Sequence, residues 1–162
     1  LRNLAFLEAE RTLADAGVAA KLRAVDAAAM VAVEQWACRR VHWPWQIMAQ
    51  DWRRNYPARF EVAVWHGDML CALALGRPAR VAPHLSLHYM ERNPDAENPL
   101  RSKVTGAVVA ALRAYAIVLG KTELQLVDPL PQLVPRYCSA EFGFYLVTPA
   151  RGAPYCARRV KA

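Results

Sequence analysis

The chain has 162 residues, 55% of them hydrophobic and 22% charged, which is enough to bury the core of one domain and too apolar for a disordered chain. No apolar run reaches the roughly 18–20 residues that cross a bilayer, so a membrane-spanning helix is excluded. Lysine and arginine outnumber the acids 21 to 14, a formal charge of +7, which admits phosphate-rich partners such as RNA beside the plainer reading of a solvated arginine-rich surface.

The basic excess has two centres. Arg39, Arg40, Arg53, Arg54 and Arg59 face one acid, Asp51, and the tail carries Arg151, Arg158, Arg159 and Lys161 with none. Cys38, Cys71, Cys138 and Cys156 are far apart and lack a histidine at metal-ligand spacing, so they read as reduced thiols, with neither a disulfide framework nor zinc. Together with the absence of a charged, apolar and cleavage segment in series at the start, this leads to the expectation of a cytoplasmic protein.

Two helices open the chain. Residues 3–15 carry Leu4, Leu7, Arg11 and Asp15 among alanines, and residues 19–40 repeat Leu22, Val25, Ala29, Val33, Trp36 and Ala37 at three- and four-residue steps. Gly17 separates them. Trp43-Pro44-Trp45 breaks the second, because proline lacks an amide donor and constrains its predecessor; a short helix over 46–55 follows and ends at Tyr56-Pro57. Residues 60–66 and 69–75 flank His66-Gly67-Asp68 and form a hairpin. A third strand spans 84–92, and a polar loop with two prolines, 93–99, leads into a helix over 101–119 with Val104, Val108, Ala111, Leu112 and Tyr115 on its buried stripe. Gly120 stops this helix. A strand over 123–127, a second helix, a Gly143-Phe144 turn and a hairpin pairing 144–148 with 155–160 complete the chain. Strands joined through a crossover helix require a mixed sheet with helices on both faces, an α/β class. The expected organisation is one domain over 1–162, helical to residue 57 and built on the sheet from 58.

The order from residue 112 to 146 (helix, Gly120, strand, helix, Gly143-Phe144, strand) resembles the second half of the GNAT superfamily of N-acetyltransferases. The resemblance implies a splayed mixed sheet that clasps acetyl-coenzyme A as cosubstrate, no metal, and direct transfer of the acetyl group to an amine in a ternary complex. The family opens with a strand, whereas helix is expected here; the N-terminal helix either replaces that strand or is an appendage.

The family's pyrophosphate pattern, Gln/Arg-x-x-Gly-x-Gly/Ala, falls on Leu100, Arg101, Ser102, Lys103, Val104 and Thr105. Lys103 and Thr105 occupy both glycine positions and Gly106 comes one step late. In this degenerate loop Arg101 and Lys103 would replace close backbone approach by charge, with helix-terminal amides beside them. The resemblance further implies that amides near Met90 polarise the thioester, that Glu91 or His88 takes the acceptor's proton, and that Tyr137 protonates the leaving thiolate. Tyr137 lies six residues before Gly143, and Ser139 stands in the family's usual tyrosine place. Asp128 stands where the family often has asparagine near the pantetheine arm, and reads equally as a helix N-cap before Leu130. His88 and Glu91 share a face only if the strand carries a bulge. Trp36, Trp43, Trp45 and Trp52 beside the arginines suit an acceptor pocket, nucleobase stacking or simple core packing. A hydroxyl acceptor is the enzymatic rival. The other rival is a catalytically silent binding module for a protein or RNA partner, and the basic surface leaves a homodimer open. Motifs for a nucleophile elbow, a Walker loop, a dinucleotide site or a paired-histidine metal site do not occur.

Overall fold

The computed structural model describes residues 1–161. In chain order the elements are α1 (Arg2–Asp15), β1 (Lys21–Arg23), α2 (Ala27–Glu34), α3 (Trp45–Asn55), β2 (Phe60–His66), β3 (Met69–Pro78), β4 (His84–Arg92), α4 (Val104–Val118), β5 (Glu123–Val127), a 3-10 turn (Pro131–Leu133), α5 (Val134–Tyr137), β6 (Tyr145–Val147) and β7 (Tyr155–Arg159). The strands form one sheet in the order β1-β2-β3-β4-β5-β7-β6. Among the described residues only β4 and β5 pair in parallel, across the α4 crossover.

The expected helix over 19–40 is corrected at both ends. Gly17 does end α1, at φ +77, but residues 21–23 leave the helical pattern and pair with β2, Leu22 opposite Val64. The cause lies in α1, where Glu10 accepts the Leu22 amide at 2.8 Å and also holds Lys21. An opening strand therefore exists, and α1 is added in front of it. Asp26 then caps α2 by accepting the Ala29 amide. The helix stops at Glu34, where the last amides, of Gln35 and Trp36, turn back to the i−3 carbonyls of Ala32 and Val33. The second half of the chain departs less. The helix expected after β5 shrinks to a 3-10 turn and a single α turn, since Pro131 and Pro135 cannot continue a longer hydrogen-bond ladder.

Each sheet face has its own core. Phe60, Val62, Val64, Ala72, Ala74, Leu85 and Leu87 pack under α1 and α4, while Ala63, Trp65, Leu73 and Leu75 pack with Trp45, Ala49 and Trp52 of α3 and with α2. This accounts for the near-continuous apolar runs of β2 and β3, which are buried on both faces. Glu61 is buried in β2 because Arg2 and Arg59 bind its carboxylate at 2.8 and 2.7 Å, which also fastens α1 to the sheet.

Two features shape the centre. The β3–β4 register shifts between Leu75 and Gly76: Leu75 stands opposite Tyr89 and Gly76 opposite Leu87, so His88 is the extra residue of a bulge. Gly76 is required there, since a Cβ would lie 2.3 Å from the Ser86 carbonyl oxygen. On the other side, β4 pairs with β5 only from His84 to Leu87. Beyond that point β4 runs on to Arg92 against β3 alone, and the two central strands part.

Candidate active site

The parting of β4 and β5 sets three neighbourhoods along β4. At the start of the wedge stands His88. It shares the α3 face with Ser86 and meets the Trp52 ring edge-on with centroids 5.4 Å apart. Burial first, then the nearby Arg77 and His84, lowers its pKa to about 4; His88 is thus a neutral imidazole at neutral pH. Tyr89 contacts the same tryptophan, and Met90 turns toward the α4 face.

Glu91 returns to the α3 face, where it is locked. Arg39 binds it with both arms, Nε to Oε1 at 2.6 Å and Nη2 to Oε2 at 2.7 Å, and the Trp45 indole donates to Oε2 at 2.5 Å. Arg39 also reaches the Trp43 carbonyl. The hydrogen bond to Glu91 holds the Arg39 pKa above its ordinary value. The carboxylate expected to be a free base instead anchors the 35–44 loop and the start of α3 to the sheet, while the bulge gives His88 and Glu91 the shared face that strict alternation would deny them.

The third neighbourhood lies past β4, at the start of α4. Asn93 and Asn98 knit the 93–103 loop to β3 through the Leu70 and Cys71 carbonyls, and Val104 is buried under the sheet. Arg101, Ser102 and Lys103 are exposed. The Lys103 and Val104 amides are used by the Leu100 carbonyl. Among the described residues the Ser102, Thr105 and Gly106 amides have no acceptor, and a Cβ on Gly106 would meet open space. Around these amides gather Arg92, which donates to the Arg101 carbonyl, and Arg136, which donates to that of Ser102. Burial and then the fields of Arg101, Arg40 and Arg136 lower the Arg92 pKa. Among the described residues none of Arg40, Arg92, Arg101, Lys103 or Arg136 is in an ion pair. Cations crowded at the positive end of a helix oppose its dipole, and an anion seated there relieves both repulsions. The residues fit a diphosphate through charge and free amides, without the glycine pair.

Across the wedge, Tyr137 of α5 is buried in the α4-side core together with partly buried Leu133 and Val134. Burial raises its pKa, so it is a protonated phenol at neutral pH, and its hydroxyl has no hydrogen-bond partner among the described residues. Asp128 is exposed at the end of β5 with φ +48, and its amide donates to the Pro154 carbonyl. It caps no helix, since Leu130 precedes the 3-10 turn.

Three arginines important to this arrangement escaped the sequence reading. Arg92 and Arg136 had no local signal, being 44 residues apart and joined only by the fold. Arg39 read as part of a solvated basic run, and its partner is 52 residues away.

No protein-family profile and no curated protein sequence matches this chain. Solved structures do. The PaiA N-acetyltransferase of Thermoplasma acidophilum in complex with coenzyme A has a TM-score of 0.58 at 10% identity, over 86% of this chain and 98% of that one. The ribosomal-protein-S18-alanine N-acetyltransferase of Escherichia coli scores 0.59 at 13% identity, over 88% and 95%. Aminoglycoside 6'-acetyltransferase type Ii scores 0.60 at 19% identity, over 87% and 97%. At such identities the likeness is one of fold.

Proposed function

We propose, from the premise that this chain has the GNAT fold, that it is an acyl-coenzyme A-dependent N-acyltransferase which passes an acetyl group to an amine within a ternary complex. The observation that carries the reading is the unpaired cation cluster around free amides at the start of α4, at the open end of the β4–β5 wedge. Arg101 and Lys103, with Arg92 and Arg136 behind them, would bind the diphosphate. The Ser102, Thr105 and Gly106 amides would add hydrogen bonds, and buried Val104 would fix the helix start that presents them. Backbone around Met90 would line the pantetheine arm, with exposed Asp128 on the opposite lip.

Acetyl-coenzyme A supplies a thioester carbonyl open to attack by an amine. As the acceptor nitrogen forms its bond to that carbon, neutral His88 takes the proton the amine loses. As the carbon–sulfur bond breaks, the Tyr137 phenol is the donor available to the departing sulfur. Glu91 would act as a positioning residue, holding Arg39, Trp45 and the 35–44 loop over the acceptor side.

Calorimetry with coenzyme A, followed by a mass-shift screen of amines with acetyl-coenzyme A, tests the reading. Binding below millimolar concentration and a 42-dalton gain on an amine (the acetyl increment, about 42 by composition) are the expected results. Absence of binding would sink the acyltransferase and leave a GNAT-shaped binding module; transfer to hydroxyls alone would change the acceptor class.

A further inference from the structure

On the α3 face, beside His88, a cavity of about 960 Å³ opens over the paired half of β4 and β5. Its floor carries His84, Ser86, His88, Gln125 and Val127, and its walls include Tyr56, Tyr155, Leu119 and Pro57. Not one Asp or Glu lines it, while Arg77, Arg80 and Lys121 do. The nearest carboxylate on the floor strands, Glu123, is engaged by the Gln125 side-chain amide at 2.7 Å.

The three cations differ in readiness. Lys121 is held by the Ala79 and Ala82 carbonyls, both at 2.8 Å, and shapes the 79–83 loop. Arg80 is exposed at the rim. Arg77 lies over the Tyr56 ring, 4.5 Å from its centroid, and among the described residues it has no anionic partner. It stands opposite Ser86 in the β3–β4 ladder. Arg77 and His88 line the same cavity, and the Arg77 charge is close enough to act on the imidazole. A negative group at Arg77 and an amine at His88 therefore suit one small molecule.

We propose that the acceptor is an amino carboxylate of amino-acid to dipeptide size, with its carboxylate at Arg77, its amine at His88, and an apolar or aromatic body against Tyr56, Leu119 and Tyr155. The inference rests on the acyltransferase reading and names the acceptor for the same site. Polycationic amines such as aminoglycosides are disfavoured, because every charged side chain lining the cavity is positive.

The test begins with coenzyme A calorimetry and then measures acetylation rates for the free amino acids and a set of dipeptides, each paired with its C-terminal amide, and for an aminoglycoside. The expected result is at least one amino carboxylate whose kcat/KM exceeds that of its amide about tenfold or more. Arg77→Gln should lower that value about tenfold relative to the amide's, erasing the preference for the carboxylate, with coenzyme A affinity unchanged; Arg80→Gln at the exposed rim should act in the same direction more weakly. Calorimetry with the acetylated product and its amide should show the same preference without turnover. Equal rates for carboxylate and amide, a panel in which no amino carboxylate reacts, or an aminoglycoside as the better acceptor overturns the inference while coenzyme A binding stands. Failure to bind coenzyme A overturns the acyltransferase reading itself.

Discussion

Lys103 stands where the family pattern has glycine, and what it does there decides how the diphosphate is held. Its own amide is spent on Leu100, so its contribution must come from the ammonium group. Lys103→Ala and Arg101→Ala are each expected to weaken coenzyme A binding about tenfold or more, the loss of one charge-assisted contact; added salt should weaken the wild type more than either variant, since each has one charge fewer to screen. Desulfo-coenzyme A should respond identically and pantetheine not at all. Calorimetry at two salt concentrations reads all of this, and wild-type affinity in both variants would place the phosphates elsewhere. His88 offers a test that needs no ligand. Its folded pKa lies below the ordinary histidine value, at about 4, so between about 6.5 and 4 the unfolded chain binds a proton that the folded chain refuses. Stability should fall as pH drops through that window and level off beneath it. His84, lowered by its own burial, adds to the slope. In urea melts from pH 7.5 to 4, His88→Gln should flatten the decline; an unchanged slope would mean that His88 titrates normally in the fold.

At the scale of elements, β4 owes its usefulness to an irregularity. Continued alternation from Leu87 would leave His88 on the α3 face but carry Tyr89 and Glu91 to the α4 face; the bulge turns those two back to the side of His88 and Trp52. The bulge depends on Gly76, whose missing side chain lets the Ser86 carbonyl approach. Gly76→Ala puts carbon 2.3 Å from a backbone oxygen in a central strand, where no flexible side chain can yield. It should destabilise the fold by about 3 kcal/mol, read as a drop in the denaturant midpoint, and in the surviving folded fraction coenzyme A affinity should change less than transfer rate. A loss under about 0.5 kcal/mol, the range of innocuous substitutions, would show that the ladder can shift to accommodate the methyl group. Much of this region was legible beforehand. The hairpin, the third strand, α4 and β5 follow from apolar runs and their Gly and Pro punctuation. β1 was not: three residues between helical patterns carry no period of their own, and their strand state comes from Glu10 and Val64.

For the molecule as a whole, the sheet separates two cores, and the Arg39–Glu91 pair fastens the α2–α3 layer to the central strand. Both partners are nearly sealed, with side chains 11% and 4% exposed. Glu91→Gln should therefore destabilise by about 3–5 kcal/mol, because Arg39 would be left charged and buried. Replacing both residues by methionine should recover most of that loss. Thermal or urea unfolding of the single and double variants checks it. If the double variant regains stability and also transfers acetyl, Glu91 serves architecture; if it regains stability without activity, the carboxylate itself takes part in the chemistry.

The succession of elements from residue 46 onward, the crossover that forces a parallel pair, and the positive balance of charge are legible in the order of the residues alone. Those properties are local or additive, so residue order and composition suffice. Which charges are free and which are spent follows from the folded arrangement. Arg39 and Glu91 are 52 residues apart and meet face to face, whereas Arg92, Arg101 and Arg136 converge on one helix terminus without an ion-pair partner among the described residues. The difference is one of long-range geometry: a charge run reads the same in sequence whether its members face solvent, a buried carboxylate or one another, and only packing sets the burial and the partners that give each group its chemistry.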